Sequence, residues 1–251
     1  MPKWVPSADE PRIPRSLSHG EVHLWTVPLQ SAADITSELA GILSDCELAR
    51  AEKMAAPGLR TGSILSRGVL RSLLGYYLGI ASNTVEIRYG PNGKPVIQGP
   101  VRFNVSHSGS VAAFAFAVGC ELGLDVEEIR PFADLAAVAA RFFSPEEAEE
   151  LAKLPRAEQE LAFFRCWTRK EAYVKAVGTG LSGPLHDFQV SLQQSEAARF
   201  VRLPDGSGPW SLYDVPVPSG YAAALAHAGA ARRLEVRQLA DVGDLFHHDN
   251  C

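Results

Sequence analysis

One apolar run, Val111–Val118, constrains the fold of this chain more than any other segment. Its residues are apolar at odd and even positions alike, so a β-strand here has two apolar faces and has to be covered on both sides. Long helical patterns lie on either side of this run, at about 61–78 and at about 156–177. Gly178 and Gly180 end the second pattern. The sequence therefore predicts long helices combined with short strands.

Both halves of the chain repeat this order, a long helix followed by strands. After the first helix, strands are predicted at 84–89, at a segment ending near Ser108, and at 111–118. After the second, five are predicted, at 188–192, 199–203, 210–215, 221–227 and 234–239. A strand at 21–27 and helices at 33–43, 44–55 and 144–154 complete the prediction. The shared order predicts a loose internal duplication, although no convincing residue-level repeat is visible.

Composition and charge exclude several classes of protein. With 46% hydrophobic and 21% charged residues, the chain can bury a substantial core. Its net charge of -5 argues against a dedicated nucleic-acid binder. Its four scattered cysteines match neither a disulfide framework nor a zinc site. Because no segment has the pattern of a signal peptide or a membrane span, a cytoplasmic protein without a membrane partner is expected.

Two carboxylates follow the apolar run on a second predicted strand. Asp125 and Glu127 would point to one side of that strand, and Val126 to the other. Adjacent carboxylates repel each other unless a cation lies between them or one is protonated. Oxygen ligands without histidine or cysteine favour Mg²⁺ over zinc. The alternative is an exposed acidic strand end.

The second long helix carries a mixed stripe of side chains. Trp167, Glu171 and Lys175 recur every four residues, so a large anchor, a carboxylate and a cation share one face. Such a face can hold a metal ion and a phosphate together. Glu171 and Lys175 could equally form an ordinary surface ion pair.

Two polar segments precede the carboxylates. His107 lies between Ser106 and Ser108 at a strand end, where a loop can present three polar groups, although a lone histidine is more often structural. Lys94 lies between Gly93 and Pro95 in a stiff turn. This turn is primarily a hairpin signal, and it also suits ligand contact.

A row of arginines lies on the first long helix. Arg60, Arg67 and Arg71 share one face, opposite the apolar stripe that contains Val69. They form either a solvated face or, with Lys53, a rim that binds phosphate, since guanidinium groups match phosphate oxygens.

Taken together, four segments resemble, in order and spacing, the motifs of 4'-phosphopantetheinyl transferases of the Sfp type. They are Gly93-Lys-Pro95, Phe103-Asn-Val-Ser-His-Ser108, Gly123-Leu-Asp-Val-Glu127 and Trp167-Thr-Arg-Lys-Glu-Ala-Tyr-Val-Lys175. The resemblance covers residues from about 21 to 239. The Lys-Glu-Ala sequence within the last segment resembles the branch of the family that has Lys-Glu-Ala where other members have Lys-Glu-Ser.

The resemblance implies an α+β fold of two similar lobes related by a pseudo-twofold, each a helix packed on a small antiparallel sheet. The expected division is a mobile arm at 1–18, an N-terminal lobe at 19–120, a C-terminal lobe at 121–240 and a tail at 241–251. Coenzyme A and Mg²⁺ would lie in the cleft between the lobes. The implied reaction moves phosphopantetheine from coenzyme A to a serine of an acyl or peptidyl carrier protein and releases adenosine 3',5'-bisphosphate.

The resemblance also assigns site residues. It implies three metal ligands: Asp125, Glu127 and Glu171. It implies contacts to the phosphates and adenine of coenzyme A from Gly93, Lys94, Pro95, Ser106, His107 and Lys175. A looser match places Lys53 and Arg60 at the 3'-phosphate. Glu171, Lys175 and His107 are the expected catalytic residues, with Glu171 as the base, directly or through a metal-bound water.

Two other functions compete with the transferase. The same carboxylates and cations would serve a Mg²⁺-dependent hydrolase of coenzyme A or a related nucleotide. A binding module that only senses coenzyme A would bind it without turnover. The sequence does not identify the carrier protein, although the broad Sfp type suggests secondary metabolism. A monomer is expected.

Overall fold

The computed structural model describes residues 17–29, 35–131, 133–180, 185–193 and 196–239. Its helices are α1 Thr36–Gly41, α2 Asp45–Glu52, α3 Pro57–Leu78, α4 Leu135–Phe142, α5 Pro145–Lys153 and α6 Arg156–Val177. Its strands are β1 Glu21–Pro28, β2 Arg88–Tyr89, β3 Pro95–Val96, β4 Val101–Ser108, β5 Val111–Val118, β6 Leu122–Glu128, β7 Gln189–Val190, β8 Phe200–Arg202, β9 Trp210–Asp214, β10 Tyr221–Ala228 and β11 Arg233–Gln238. The described part of the chain contains no helix that is both long and apolar enough to cross a membrane.

Two larger sheets form the centre of the molecule. The first has the order β11-β1-β5-β4 and the second the order β6-β10-β9, while β2–β3 and β7–β8 are two-stranded ribbons. Among the described residues, every strand pairing is antiparallel except the parallel pair of β1 and β11. The predicted α+β class, with helices on small antiparallel sheets, is confirmed.

The alternation of side chains along β5 explains how the layers stack. Phe114 and Phe116 belong to the apolar cluster beneath α3, whereas Ala113 and Ala115 belong to the cluster between the two sheets. A third cluster lies between the second sheet and α6. All eight residues of β5 are buried, as the apolar run predicts. Burying each phenylalanine contributes about 1.5–3 kcal/mol.

Some predicted elements differ in extent. The strand predicted at 84–89 is reduced to β2, because residues 82–84 form a 3-10 turn. Helix α3 begins at Pro57, not near 61, since proline suits the first helical position. Helix α4, residues 135–142, was not predicted; its residues are mostly apolar, so its sequence lacks a clear polar face.

The two halves of the chain contain one similar arrangement of buried side chains. In the first half, the Glu47 carboxylate accepts hydrogen bonds from the Ser44 amide (2.9 Å) and from Arg71 Nε (2.7 Å). Arg71 also donates to the backbone carbonyls of Ser82 and Val85, at 3.1 Å each. A capping box is therefore joined to the long helix by a buried cation.

The second half repeats the arrangement with lysine. Glu147 accepts from the Ser144 amide at 2.8 Å and pairs with Lys170 at 2.7 Å. Lys170 also donates to the carbonyls of Leu185 and Phe188, each at 2.7 Å. Because the cation is arginine in one half and lysine in the other, this repeat is not visible by residue identity.

One strand from the predicted C-terminal lobe (121–240) joins the sheet of the predicted N-terminal lobe (19–120). Their boundary falls between β5 and β6, but β11 returns and pairs with β1 of the first sheet, with Arg233 opposite Glu21 and Gln238 opposite Thr26. The division into lobes stays a prediction. The predicted arm at 1–18, apart from residues 17 and 18, and the tail at 241–251 lie outside the described residues.

Candidate active site

Strand β6 presents its carboxylates to α6. Asp125 and Glu127 lie opposite Ala224 and Ala222 of β10, which belong to the α6-facing cluster, whereas Val126 packs between the sheets. Asp125 is buried and Glu127 is half-buried. The predicted alternation along this strand is confirmed, so both carboxylates face the helix that carries Glu171.

A glycine lets α6 lie directly on β6. A Cβ atom added at Gly123 would lie 2.1 Å from the carbonyl oxygen of Ala172 and 2.3 Å from the amide nitrogen of Ala176. Those contacts are far below van der Waals distances and involve backbone atoms, so a side chain would force the helix away. This close approach brings Glu171 and Lys175 to Asp125.

Lys175 joins the helix to the strand. Its Nζ donates hydrogen bonds to Asp125 Oδ1 at 2.5 Å and to Ser106 Oγ at 3.0 Å. The expectation that the helix stripe faces Asp125 is confirmed. Trp167, lower on the same stripe, stacks on Phe163 with centroids 5.9 Å apart and meets Phe142 edge-on at 5.6 Å. It is a packing anchor, as predicted.

Burial raises the pKa values of the three carboxylates, and neighbouring negative charge adds to the shift at Glu127 and Glu171. Burial, then the charges of Asp125 and Glu127, raise the pKa of Glu171 to about 7, although Lys175 opposes the shift. Burial also raises the pKa of Asp125 despite Lys175, and burial together with Asp125 raises the pKa of Glu127. One lysine does not balance three acids in a site with little water. The arrangement favours an added cation.

Two oxygen atoms show where that cation would bind. Asp125 Oδ2 and Glu171 Oε1 are buried and have no hydrogen-bond partner among the described residues. Buried acceptors without partners are costly, and hard oxygen donors suit Mg²⁺. Within the described residues, no three acidic, histidine or cysteine side chains stand close enough to enclose a metal ion. The donor set fits Mg²⁺, and the carboxylates would have to draw together around it.

His107 lies at the end of β4 beside this cluster. Its surface is exposed, yet the surrounding protein displaces enough water to lower its pKa, and the nearby Lys175 and Arg67 cations lower the pKa further. The ring is therefore neutral at pH 7. A neutral imidazole offers one donor and one acceptor.

Lys94 makes its hydrogen bonds outside the cluster of Asp125, Glu127 and Glu171. Its Nζ donates to the carbonyls of Ala176 (2.9 Å) and Leu122 (3.2 Å) and to the Glu121 carboxylate (3.0 Å). Three acceptors occupy its three N–H groups. A phosphate contact by Lys94 would have to displace one of them.

The turn that carries Lys94 lies over the end of α6. Gly93 has a φ of +79°, Pro95 begins β3, and Asn92 Nδ2 donates to the Gly178 carbonyl at 2.8 Å. This turn therefore reaches from the first half of the chain to the last turn of α6.

The arginine row divides into structural and exposed members. Arg71 is buried in its pair with Glu47, so the hypothesis of a three-arginine rim is wrong for this residue: α2 covers that part of the face. Arg60 is exposed and donates to the Glu52 carbonyl at 3.2 Å. Lys53, at the end of α2, is also exposed.

Arg67 has unused hydrogen-bonding capacity. It lies 3.5 Å from a Glu47 oxygen and donates to the Tyr89 hydroxyl at 3.1 Å. Its Nη1 is buried without a partner among the described residues. Arg50 covers the Tyr89 ring at 4.7 Å. Sequence spacing could not separate Arg67 from its neighbours, because the difference depends on Glu47, twenty residues away.

Comparison with known proteins decides the family. The model of the 4'-phosphopantetheinyl transferase superfamily matches residues 121–226. The chain is 38% identical over 231 residues to 4'-phosphopantetheinyl transferase HetI of Nostoc sp. (strain PCC 7120 / SAG 25.82 / UTEX 2576), over 90% of this chain and 94% of that protein. The chain belongs to the 4'-phosphopantetheinyl transferase superfamily.

A second relative agrees with this assignment. The chain is 31% identical over 168 residues to 4'-phosphopantetheinyl transferase Sfp of Bacillus subtilis (strain 168), covering 66% of this chain and 73% of that protein. Among solved structures, the holo-[acyl-carrier-protein] synthase of Thermotoga maritima matches with a TM-score of 0.35 and 23% identity, over 45% of this chain and 64% of that one. The family predicted from the four motifs is confirmed.

Proposed function

We propose that this phosphopantetheinyl transferase moves the 4'-phosphopantetheine group from coenzyme A to a serine of an acyl or peptidyl carrier protein. One observation carries the proposal: in a chain of this family, Asp125 and Glu127 of β6 face Glu171 and Lys175 of α6. The serine oxygen forms a bond to the phosphorus that bears pantetheine. The bond from that phosphorus to the bridging oxygen breaks, and adenosine 3',5'-bisphosphate leaves.

Asp125, Glu127 and Glu171 would hold Mg²⁺. The two unpartnered buried oxygen atoms on Asp125 and Glu171 support this assignment. Bound Mg²⁺ would offset the negative charge of the pyrophosphate and stabilise the charge that develops on the departing phosphate.

Lys175 and His107 would bind the phosphates. Lys175 Nζ lies between Asp125 and Ser106, so it can donate to a phosphate oxygen once that oxygen replaces one of these acceptors. His107, neutral and beside Lys175, can donate a second hydrogen bond. Fixed donors of this kind stabilise transition-state charge without reorganisation.

Glu171 is proposed as the base that receives the serine proton. Its Oε1 is a free acceptor on the wall that faces Asp125. A carboxylate shared with a metal ion is a weak base. The assignment of Glu171 as the base therefore rests mainly on the position of its Oε1 atom.

Basic residues of α2 and α3 would hold the 3'-phosphate of coenzyme A. We extend the expected pair of Lys53 and Arg60 to Arg67, because Arg67 has a buried, unpartnered nitrogen and lies near His107. The backbone of the turn at Gly93 and Pro95 would contact adenine, with Ser106 and Lys94 near the phosphates.

Transfer is tested by intact mass. The protein, coenzyme A and Mg²⁺ are incubated with a panel of apo-carrier domains, and the expected result is the mass of one phosphopantetheine group on at least one carrier. The Glu171→Gln variant is the negative control and should transfer no phosphopantetheine. If free phosphopantetheine forms without a carrier, the protein is the alternative hydrolase, and binding of coenzyme A with no product indicates a sensor.

We also propose a cytoplasmic monomer that serves secondary metabolism. Light scattering after size exclusion tests the oligomeric state, and the carriers that gain mass identify the pathway.

A further inference from the structure

Strands β4 and β6 are the edges of the two larger sheets, and they face each other. Within the described part of the chain, no backbone ladder joins them. Instead, polar side chains of β4 accept hydrogen bonds from the backbone amides of β6. The three bonds are Leu124 N to Asn104 Oδ1 (2.9 Å), Val126 N to Ser106 Oγ (3.3 Å) and Glu128 N to Ser108 Oγ (3.1 Å).

These bonds keep a constant register. Residues 104, 106 and 108 accept from residues 124, 126 and 128, so each pair differs by twenty positions. Phe103 and Val105, on the opposite face of β4, point to the core beneath α3. Only short side chains with an acceptor oxygen, on alternate positions of β4, can serve an adjacent strand edge in this way. Side chains thus replace the missing backbone ladder.

The two serines also hold the carboxylates of β6. Ser106 Oγ donates to Asp125 Oδ1 at 3.0 Å, and Ser108 Oγ donates to Glu127 Oε2 at 2.9 Å. Each hydroxyl therefore binds a carboxylate and the amide of the residue that follows it. A shift of β6 by one residue would turn its carboxylates away from α6.

We propose that Asn104 and Ser108 are positioning residues of the proposed transferase. Together with Ser106, they fix the register of β6 so that Asp125 and Glu127 lie opposite Glu171. Asn104 and Ser108 act through β6 and not by touching coenzyme A. This inference rests on the proposed function for its catalytic consequence, whereas its structural part can be tested without substrate.

Amide hydrogen exchange, measured by NMR on the protein without metal or substrate, tests the structural part. In Asn104→Leu, the Leu124 amide should exchange roughly tenfold faster, and in Ser108→Ala the Glu128 amide should do so. The amides of 123, 125 and 127, which alternate to the β10 side, are internal controls and should change little. Ser110→Ala is the matched variant, because Ser110 Oγ contacts the Tyr221 hydroxyl and no amide of β6.

Kinetics with an apo-carrier test the catalytic part. Ser108→Ala should lower kcat about tenfold and raise the Mg²⁺ concentration needed for half-maximal rate, with KM for coenzyme A within about twofold. Ser108→Thr keeps the hydroxyl and should restore both values, and Ser110→Ala should resemble the unaltered protein.

Two results would overturn the proposal. One is unchanged exchange at Leu124 and Glu128, and the other is a rise in KM for coenzyme A with kcat unchanged, which would make the residues ligand contacts. If Asn104→Leu does not fold, Ser108→Ala and Ser108→Thr decide alone. If no carrier is modified by any form of the protein, the transferase proposal fails, while the exchange data still decide the role of the side-chain ladder.

Discussion

Glu171 lies where its negative charge destabilises the metal-free protein. It is buried next to two other acids, and its Oε1 has no partner among the described residues. The Glu171→Gln variant should therefore unfold at higher urea concentration than the unaltered protein in EDTA at pH 7.5. A gain of about 1–2 kcal/mol is expected after allowing for solvent screening.

The same variant should be inactive, because it removes a metal ligand and the proposed base. Glu47→Gln is the matched control: Glu47 is a buried carboxylate paired with Arg71, so its loss should lower stability. A loss of stability in Glu171→Gln would mean that the carboxylate cluster is balanced without metal.

His23 makes stability depend on pH. It is buried, with Nδ1 2.8 Å from the Tyr77 hydroxyl, and burial followed by the Arg237 cation lowers its pKa, although Glu21 and Glu235 oppose the shift. Because the unfolded chain takes up the proton more readily, this contribution is present above pH 6.5 and is lost as the pH falls below it. Stability should therefore fall between pH 7 and pH 5.

Urea unfolding at pH 7.5, 6 and 5 measures this effect. His23→Gln should be less stable at pH 7.5 and should lose less stability on acidification. His227, also buried with a lowered pKa, should contribute in the same direction. A slope that is identical with and without His23 would rule out its part in acid sensitivity.

At the scale of elements, the contact of α6 with β6 controls the site. Gly123→Ala places a methyl group against the α6 backbone, so we expect a loss of at least about 3 kcal/mol of stability, or a displaced helix, and activity reduced by a hundredfold or more. Thermal unfolding and the carrier assay measure both. Gly41→Ala is the control, since nothing lies near the added carbon. Normal activity in Gly123→Ala would show that this close contact is not required.

Lys94 tests whether the turn over α6 is structural or binds ligand. Lys94→Met removes a cation from the helix C-terminus and its bonds to Ala176 and Leu122, so stability without coenzyme A should fall by about 1–2 kcal/mol. Arg102→Met is the control, because Arg102 also pairs with Glu121 but is more exposed. If Lys94→Met weakens coenzyme A binding and leaves stability unchanged, Lys94 is a phosphate contact.

The sequence predicted elements whose determinants are local. Three patterns determine side-chain directions within a few residues. They are the two-faced apolar pattern of β5, the alternation of Asp125 and Val126, and the spacing of Glu171 and Lys175. Together these define the carboxylate wall and the lysine beside it. The family resemblance added their shared location.

Features that depend on distant partners were not predictable in this way. Arg71 differs from Arg60 because Glu47 and the carbonyls of Ser82 and Val85 surround it. Lys94 is occupied in part because the end of α6 supplies a carbonyl. The strand-to-strand hydrogen bonds of Asn104 likewise require the position of β6. Sequence patterns give the side-chain type and face, but not the neighbour.

At the scale of the whole molecule, β11, the last strand in the described part of the chain, pairs with β1, the first. Deleting residues 233–251 removes the parallel partner of β1 and exposes one edge of the first sheet. We expect a variant that ends at 232 to be much less stable than the full chain, with faster amide exchange along β1. Urea unfolding and hydrogen exchange measure this. A truncated protein of full stability would mean that the N-terminal lobe is independent of β11.

The buried ion pairs Arg71–Glu47 and Lys170–Glu147 bear on how many carriers the protein can modify at once. Lys170 is followed by Glu171, which faces the charges of Asp125 and Glu127, whereas Arg71 is followed by Ser72, whose hydroxyl donates to the Gly68 carbonyl within its own helix. The two halves therefore share this scaffold of buried ion pairs but differ in the side chain that follows the buried cation. Helix α3 of the first half carries cationic side chains, and α6 of the second half carries the acid Glu171. Under the proposed function, the described part of the chain therefore offers one carboxylate cluster for transfer, and each protein molecule should modify one carrier per turnover.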